Sequence, residues 1–313
     1  MTHSLAQIAF FCFLVSLPCF VRGEPNVAVD TAIEPAAAVG AARARAGRVV
    51  RFQQRPTVVG DRVAQRLGVH LALTTKITQS GQTAHESTSD MRRQQQRSIE
   101  VLDAVDGRAV KIQASFPLSR RQSPEAGSPD ELAVQPIEGK TYIVHREGDQ
   151  LAITDTAGHI PPKDQYKLVA ESLENVGKPN PLALLLVDRH VTVGQRILVP
   201  RDMVQQLLGF DDPVGSVRRF ELTLVRVDPA DESHRAERAV FQTRIEIMPN
   251  ESSPLTISLN GEMVVETETC RLAAVELNGP VSMSTIERTS LGIYQYSAGG
   301  ELHMAIRSQY STK

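Results

Sequence analysis

The chain has 313 residues with 34 basic and 36 acidic side chains, so its net charge at pH 7 is −2. No large basic field is present, which argues against a nucleic-acid-binding protein. There is no Trp, and aromatic residues make up 4% of the chain, which disfavours the stacking platforms of carbohydrate and single-stranded nucleic-acid sites. The length suits two small domains or one large β domain.

The first 23 residues predict export. An apolar run from Ile8 to Leu17 follows a short polar start and precedes Pro18 and a small-residue cleavage site at 21–23. The run is shorter than the ~20 residues that a transmembrane helix needs. We therefore expect a cleaved signal peptide at 1–23, a periplasmic or secreted location and no transmembrane segment in the mature chain. Cys19 raises a lipoprotein as the alternative, but the residues before it do not fit that motif.

Removal of the signal peptide would leave Cys270 as the single cysteine and a net charge of −3, because Arg22 leaves with it. The mature chain then cannot form an internal disulfide. Residues 24–56 are rich in Ala, Arg and Pro and lack a sustained apolar face, so we predict a disordered leader there.

A first β half is predicted at 57–160. Apolar residues alternate with polar ones from Leu67 to Ile77, the pattern of a half-buried strand. Asp106-Gly107 is typical of a tight hairpin turn, since both residues tolerate positive φ. Further strands in this half are predicted at 99–105 and 110–116, and a further hairpin is predicted at 141–154 with its turn at Gly148-Asp149.

A helical connector is predicted at 161–187. Between Pro162 and Gly177, apolar residues recur every three or four positions, and this indicates a helix over 163–176. A second short helix is predicted from Met203 to Leu208, with Asp202 as its N-cap and Gly209 ending it.

The second β half is predicted at 188–313, where alternation resumes at Phe220. Short connections favour antiparallel pairing. The predicted strands are 220–224, 241–247, 255–259, 263–266, 271–277, 281–288 and 302–308. The fold class is therefore mainly β, an antiparallel curved sheet or open barrel with one or two short helices. Residues 57–63 resemble 191–197, which leaves open either two similar β halves or a chance likeness.

No recognised catalytic or metal-binding motif is present, so we assign no catalytic, cofactor-binding or metal-ligating residue and expect no cofactor. Cys270 lies at a predicted hairpin turn, where Arg271 could favour its thiolate, but an incidental free thiol is the preferred interpretation. A dispersed enzyme site would require residues such as His145, His190, Asp211 and Glu232 to meet in space.

The second half also carries a resemblance. Residues 193–208, 221–225, 245–247 and 261–279 resemble uncharacterised exported β-rich proteins of planctomycete-like bacteria. The likeness covers roughly 188–290 and implies a fold similar to half-barrels of the lipoprotein-carrier type. It carries no functional residues, and Glu268 and Cys270 stand where Asp or Gly would be expected.

These observations favour a non-enzymatic cell-envelope protein whose curved sheet binds an apolar ligand or a partner protein, with the helix at 163–176 covering one side. Two alternatives remain, a hydrolase with a dispersed active site and a structural or assembly component.

Overall fold

The structure is a computed structural model that describes residues 47–122, 132–208, 216–231, 236–250, 253–289 and 292–311. The predicted signal peptide and most of the predicted leader lie outside these ranges. The strands are β1 Val49–Arg51, β2 Arg62–Gln79, β3 Gln82–Val105, β4 Arg108–Gln122, β5 Leu132–Val134, β6 Lys140–Glu147, β7 Gln150–Asp155, β8 His190–Thr192, β9 Arg196–Leu198, β10 Ser216–Asp228, β11 Arg238–Met248, β12 Leu255–Glu266, β13 Leu272–Thr289 and β14 Gly292–Ser311. The helices are α1 Lys163–Ser172, α2 Pro181–Leu186 and α3 Arg201–Leu208.

Twelve strands form one antiparallel sheet in the order β7-β6-β4-β3-β2-β14-β13-β12-β11-β10-β9, with β5 beside β4. The sheet is open, with β7 and β9 as its end strands in the described part of the chain. β2 pairs with β14 along its whole length, which joins the early and late strand runs into one sheet. The predicted class, a mainly β antiparallel curved sheet, is confirmed.

The alternation that predicted the first strand also defines the two faces of the sheet. In β2, Val69, Leu71 and Leu73 are buried while Ala72 between them is exposed. Successive side chains of a strand point to opposite faces, so the odd positions of β2 lie on the inner, concave face. Cross-strand partners share a face, and the pairing therefore carries this assignment across the sheet.

The predicted hairpin turn at Asp106-Gly107 is present, with φ values of 52° and 71°. Two consecutive positive φ values are typical of a type I′ turn, whose twist matches the flanking strands.

β3 is far longer than predicted, because it runs from Gln82 rather than from 99. Its first eight residues are all exposed and polar or small, so they have no apolar alternation to reveal them. They pair with β2, while β4 pairs with β3 only from Arg93 onward.

Two predicted strand pairs are each a single strand. Residues 255–259 and 263–266 both belong to β12, which passes through Gly261, and 271–277 and 281–288 both belong to β13, which passes through Gly279. The two glycines lie between the predicted strands, and here they let neighbouring strands approach closely as the sheet bends.

The helices differ in detail from the prediction. α1 ends at Ser172 rather than at 176, although Leu173 and Val176 remain buried in the turns that follow. α2 was not predicted, because its six residues, Pro-Leu-Ala-Leu-Leu-Leu, are too few to show a period. α3 begins at Arg201, two residues before the predicted start at Met203. Gly209 and the side chain of Asp202 lie outside the part of the chain that the structure describes.

The end of the predicted leader is ordered, which corrects its boundary for residues 47–56. β1 pairs with β8 in a separate two-stranded sheet. Phe52 is 1% exposed and stacks on Phe241, with 5.9 Å between ring centroids. Two buried side chains, Val50 and Phe52, are too few to produce a recognisable alternation in the sequence.

The concave face carries two apolar clusters. The large apolar cluster lies on β9 to β14 and β2, beneath α2, α3 and the β1–β8 sheet. The small apolar cluster lies mainly on β3, β4, β6 and β7, beneath α1.

Candidate functional site: an apolar concave face under a short helical cover

The large apolar cluster is continuous across five neighbouring strands. The strand register aligns one inner-face residue of each of the strands β10 to β14 across the sheet, and this row contains no charged side chain. Its members are Leu224, Phe241, Met263, Val275 and Ile306. The neighbouring row is also uncharged, but it contains Thr243 and Gly261 beside apolar side chains. The first row therefore offers only dispersion contacts and the release of water to whatever covers it.

α2 and α3 cover this face, and we call them the helical cover. In α2, Leu182, Leu185 and Leu186 are each 0% exposed, whereas Leu184 is 59% exposed. In α3, Val204 and Leu207 are buried. α2 thus turns one side toward the large apolar cluster and Leu184 to solvent, and α3 contributes two buried side chains to the same cluster.

Asn180 holds the start of α2. Its side-chain oxygen accepts a hydrogen bond from the Leu182 backbone N–H at 3.0 Å, and its Nδ2 donates to the Cys270 carbonyl at 2.9 Å. Asn is among the preferred N-cap residues because it satisfies an otherwise unpaired helix N–H. The same side chain therefore ties the cover to the β12–β13 turn.

Cys270 lies in that turn, as predicted, and is fully buried with φ 51°. Its thiol belongs to the large apolar cluster. The adjacent Arg271 donates to Asp61 at 3.1 Å, and both side chains of this ion pair are buried. The Arg271 guanidinium also lies 5.4 Å from the centre of the Tyr310 ring. The pair ties the start of β2 to the β12–β13 turn.

A polar row separates the two apolar clusters on β14, β2 and β3. Register aligns Ser308, Gln65 and Arg97, all of them buried on the inner face. Gln65 donates to the Ser308 hydroxyl at 3.0 Å, and Arg97 Nε donates to Gln65 Oε1 at 2.8 Å. This row bounds the large apolar cluster on its side nearest α1.

Arginines from the sheet meet the carboxyl end of α1. Arg97 donates to the Ser172 carbonyl, and Arg146 donates to the Glu174 and Val176 carbonyls just beyond the helix. Cations at this end are favoured because the last carbonyls of a helix lack intrahelical partners. Burial lowers the pKa of Arg97 to about 10. α1 is thus fixed to the sheet by several polar contacts, whereas in the described part of the chain Asn180 supplies the side-chain contact that ties α2 to the sheet.

The structure does not assemble the residues named for a dispersed enzyme site. His145 lies in β6 and its exposed ring is 3.4 Å from the Glu147 carboxylate. His190 lies in β8, within the other sheet, and is exposed. Asp211 and Glu232 are outside the described ranges. Among the described residues, no group of three or more His, Cys, Asp and Glu is arranged to hold a metal. No helix in the described ranges has the length and apolar character to span a bilayer.

No family model and no curated protein sequence matches the chain. Similar solved structures include lipovitellin, at 7% identity with a TM-score of 0.38; the match covers 82% of this chain and 26% of the lipovitellin chain. A LolA superfamily protein from Nitrosomonas europaea is 9% identical with a TM-score of 0.16, covering 84% and 89% of the two chains. The type II secretin GspD of enteropathogenic Escherichia coli is 10% identical with a TM-score of 0.17, covering 82% and 71%. These scores are too low for any of the three to assign a fold family or a function.

Proposed function

We propose that the chain binds an apolar ligand on the concave face, between the large apolar cluster and the helical cover, as an exported, non-enzymatic cell-envelope protein. The observation that carries the proposal is a continuous apolar face, buried beneath two short helices and the β1–β8 sheet. The five strands from β10 to β14 span about 19 Å across the sheet at ~4.8 Å per strand. The helices of the cover have six and eight residues, about 9 and 12 Å at 1.5 Å per residue.

The cover is also weak by itself. Helices shorter than ~12 residues are marginal in water, so these two depend on the apolar side chains that they bury. Elements that depend on few contacts open locally at lower free energy than the sheet beneath them. An apolar ligand could therefore enter by displacing the helices and replace the contacts that they lose.

The chemistry of the face limits the ligand. The rows under the cover carry no charged side chain, and transfer of an unpaired charge into such a site is strongly unfavourable. The proposed ligand is therefore an uncharged aliphatic molecule, or the uncharged part of a larger one.

The export part of the proposal rests on residues 1–23 and on the resemblance to exported β-rich proteins of planctomycete-like bacteria. Amino-terminal sequencing of the mature protein tests it, with cleavage after residue 23 as the expected result. An uncleaved, cytoplasmic protein would contradict it.

Photolabelling with a neutral alkyl diazirine tests the binding site. Labels are expected in peptides that carry inner-face residues such as Leu259 and Leu302, and excess dodecane should suppress them. Ile286 and Ile293 provide an internal control, because they are 63% and 53% exposed on the other face. Labelling confined to those two exposed residues, or labelling that dodecane does not reduce, would refute the proposal.

A further inference from the structure

The sheet continues past its core at one end as a four-stranded projection. β12 pairs with β13 only as far as Leu255 and Met283, and β4 pairs with β3 only from Arg93 onward. Beyond these points, in the described part of the chain, β3, β2, β14 and β13 pair only with one another. From 298 to 292 along β14 this end is about 20 Å long at ~3.4 Å per residue. We call it the projection, and its described residues are 75–87, 283–289 and 292–298.

Two large aliphatic side chains are exposed near the end of the projection. Ile286 is 63% exposed and Ile293 is 53% exposed. Ile293 pairs with Arg288, two residues from Ile286, so the two isoleucines are diagonal neighbours on one face. This is the outer face, because Met283 packs on the large apolar cluster and lies three residues from Ile286. Adjacent exposed aliphatic side chains at the end of a long hairpin indicate a contact surface.

The inner face of the same end is also partly apolar. Tyr294 and Tyr296 lie on this face of β14, and Tyr296 pairs with Ile77 of β2. All three side chains are half-buried. Gln79 Nε2 donates a hydrogen bond to the Tyr294 hydroxyl at 3.0 Å. Tyrosine combines an apolar ring with a polar hydroxyl, and this combination is favoured where hydrocarbon meets water.

The charges of the projection cancel. Its described residues include two basic side chains, Lys76 and Arg288, and two acidic ones, Glu86 and Glu287. Lys76 Nζ lies 3.2 Å from the Glu86 carboxylate. With zero net charge, the projection has no electrostatic preference for an anionic or a cationic surface. Glu287 and Arg288 beside the isoleucines limit any insertion to a shallow depth, because a charge in hydrocarbon is costly.

We propose that the projection docks on a lipid bilayer, with Ile286, Ile293 and Tyr294 at the boundary between headgroups and acyl chains. Apolar side chains lie on both faces of a four-stranded ribbon near its end. A bilayer interface surrounds the inserted end and covers both faces at once, whereas a protein that lies against one face leaves the other in water. The proposal adds a membrane contact to the proposed function and does not depend on it.

A single tryptophan reports on the docking, because the chain contains no Trp. Ile293→Trp places it on the projection, and Leu198→Trp is the matched control on β9, at the far edge of the sheet, where Leu198 is 63% exposed. With phosphatidylcholine vesicles, the emission of Ile293→Trp should shift to shorter wavelength. Lipids brominated on the upper part of the acyl chain should quench it. The emission of Leu198→Trp should show neither effect.

Vesicle flotation measures the contribution of the two isoleucines. The double variant Ile286→Ser/Ile293→Ser should partition onto phosphatidylcholine vesicles about tenfold more weakly than the unmodified protein, the effect of withdrawing two partly inserted aliphatic side chains. Val134→Ser/Leu198→Ser is the matched control, since both residues are 63% exposed outside the projection, and it should float like the unmodified protein. Phosphatidylglycerol in the vesicles should leave the partition unchanged.

Three results would overturn the proposal. They are no flotation of the unmodified protein, equal flotation of the double variant Ile286→Ser/Ile293→Ser, and binding that requires phosphatidylglycerol. A dimer in sedimentation velocity that only this double variant abolishes, without vesicle binding, would identify a second copy of the chain as the occupant and would also overturn it. N-phenyl-1-naphthylamine binding to the concave face should be the same in this variant as in the unmodified protein, so the proposed function is tested separately.

Discussion

Leu185 and Leu184 are adjacent residues of α2 with opposite environments, and this makes them a matched test of the helical cover. Leu185 is 0% exposed in the large apolar cluster, whereas Leu184 is 59% exposed. Replacement of a fully buried Leu by Ala costs about 3 kcal/mol. The same change at a solvent-facing position typically stays within about 0.5 kcal/mol.

If the cover opens while the sheet stays folded, Leu185→Ala acts mainly on that opening. A loss of about 3 kcal/mol from the closed state raises the open fraction roughly a hundredfold. Since the probe binds only the open form, its apparent affinity rises in the same proportion until the open form predominates. Leu184→Ala should change the affinity less than about threefold.

Titration with N-phenyl-1-naphthylamine and urea unfolding, measured on both variants, provide the readouts. The expected result is tighter probe binding in Leu185→Ala, with a loss of global stability no larger than the free energy of opening. If Leu185→Ala lowers the unfolding midpoint by the full amount and binds the probe no better than Leu184→Ala, α2 is part of a permanent core and the reasoning fails.

Three further predictions concern the stability of the fold. Arg271→Met should lower the free energy of unfolding by about 3–5 kcal/mol in urea, because it leaves the Asp61 carboxylate buried without its 3.1 Å partner; a loss below about 1 kcal/mol would contradict this. Gly261→Ala should prevent folding or lower the melting temperature strongly, since its Cβ would lie 1.9 Å from a backbone oxygen. Gly299→Ala is the control and should fold, because a Cβ there has no atom within 4 Å. Equal melting temperatures of the two variants would contradict this prediction. Burial raises the pKa of Glu171, so the folded state holds its proton more tightly and loses stability as pH rises through that pKa. Glu171→Gln should therefore gain stability relative to the unmodified protein between about pH 4 and 7. A difference in the free energy of unfolding that stays constant over this range would contradict the prediction.

Apolar alternation predicted the strands wherever one face of the sheet is buried and the other is exposed to solvent. This applies to β2 from Leu67 and to β10 from Phe220. The same criterion missed the first half of β3, because an exposed polar strand has no contrast between its faces. It also divided β12 and β13 at Gly261 and Gly279, where glycine marks a close approach between strands and not a turn.

The proposed site was less accessible from the sequence. The prediction named a concave apolar face but gave the cover to the helix over 163–176, which lies on the small apolar cluster, whereas α2 and α3 lie on the large one.

Hydrogen–deuterium exchange of the full chain, with and without bound N-phenyl-1-naphthylamine, tests the central claim most directly. The amides of residues 182–186 should exchange much faster than those of β11 to β13, because the helical cover opens without unfolding of the sheet. The bound probe should change the exchange of the cover and slow that of the sheet beneath it. Equal protection of α2 and the central strands, unchanged by the probe, would contradict a concave apolar face that opens to a ligand.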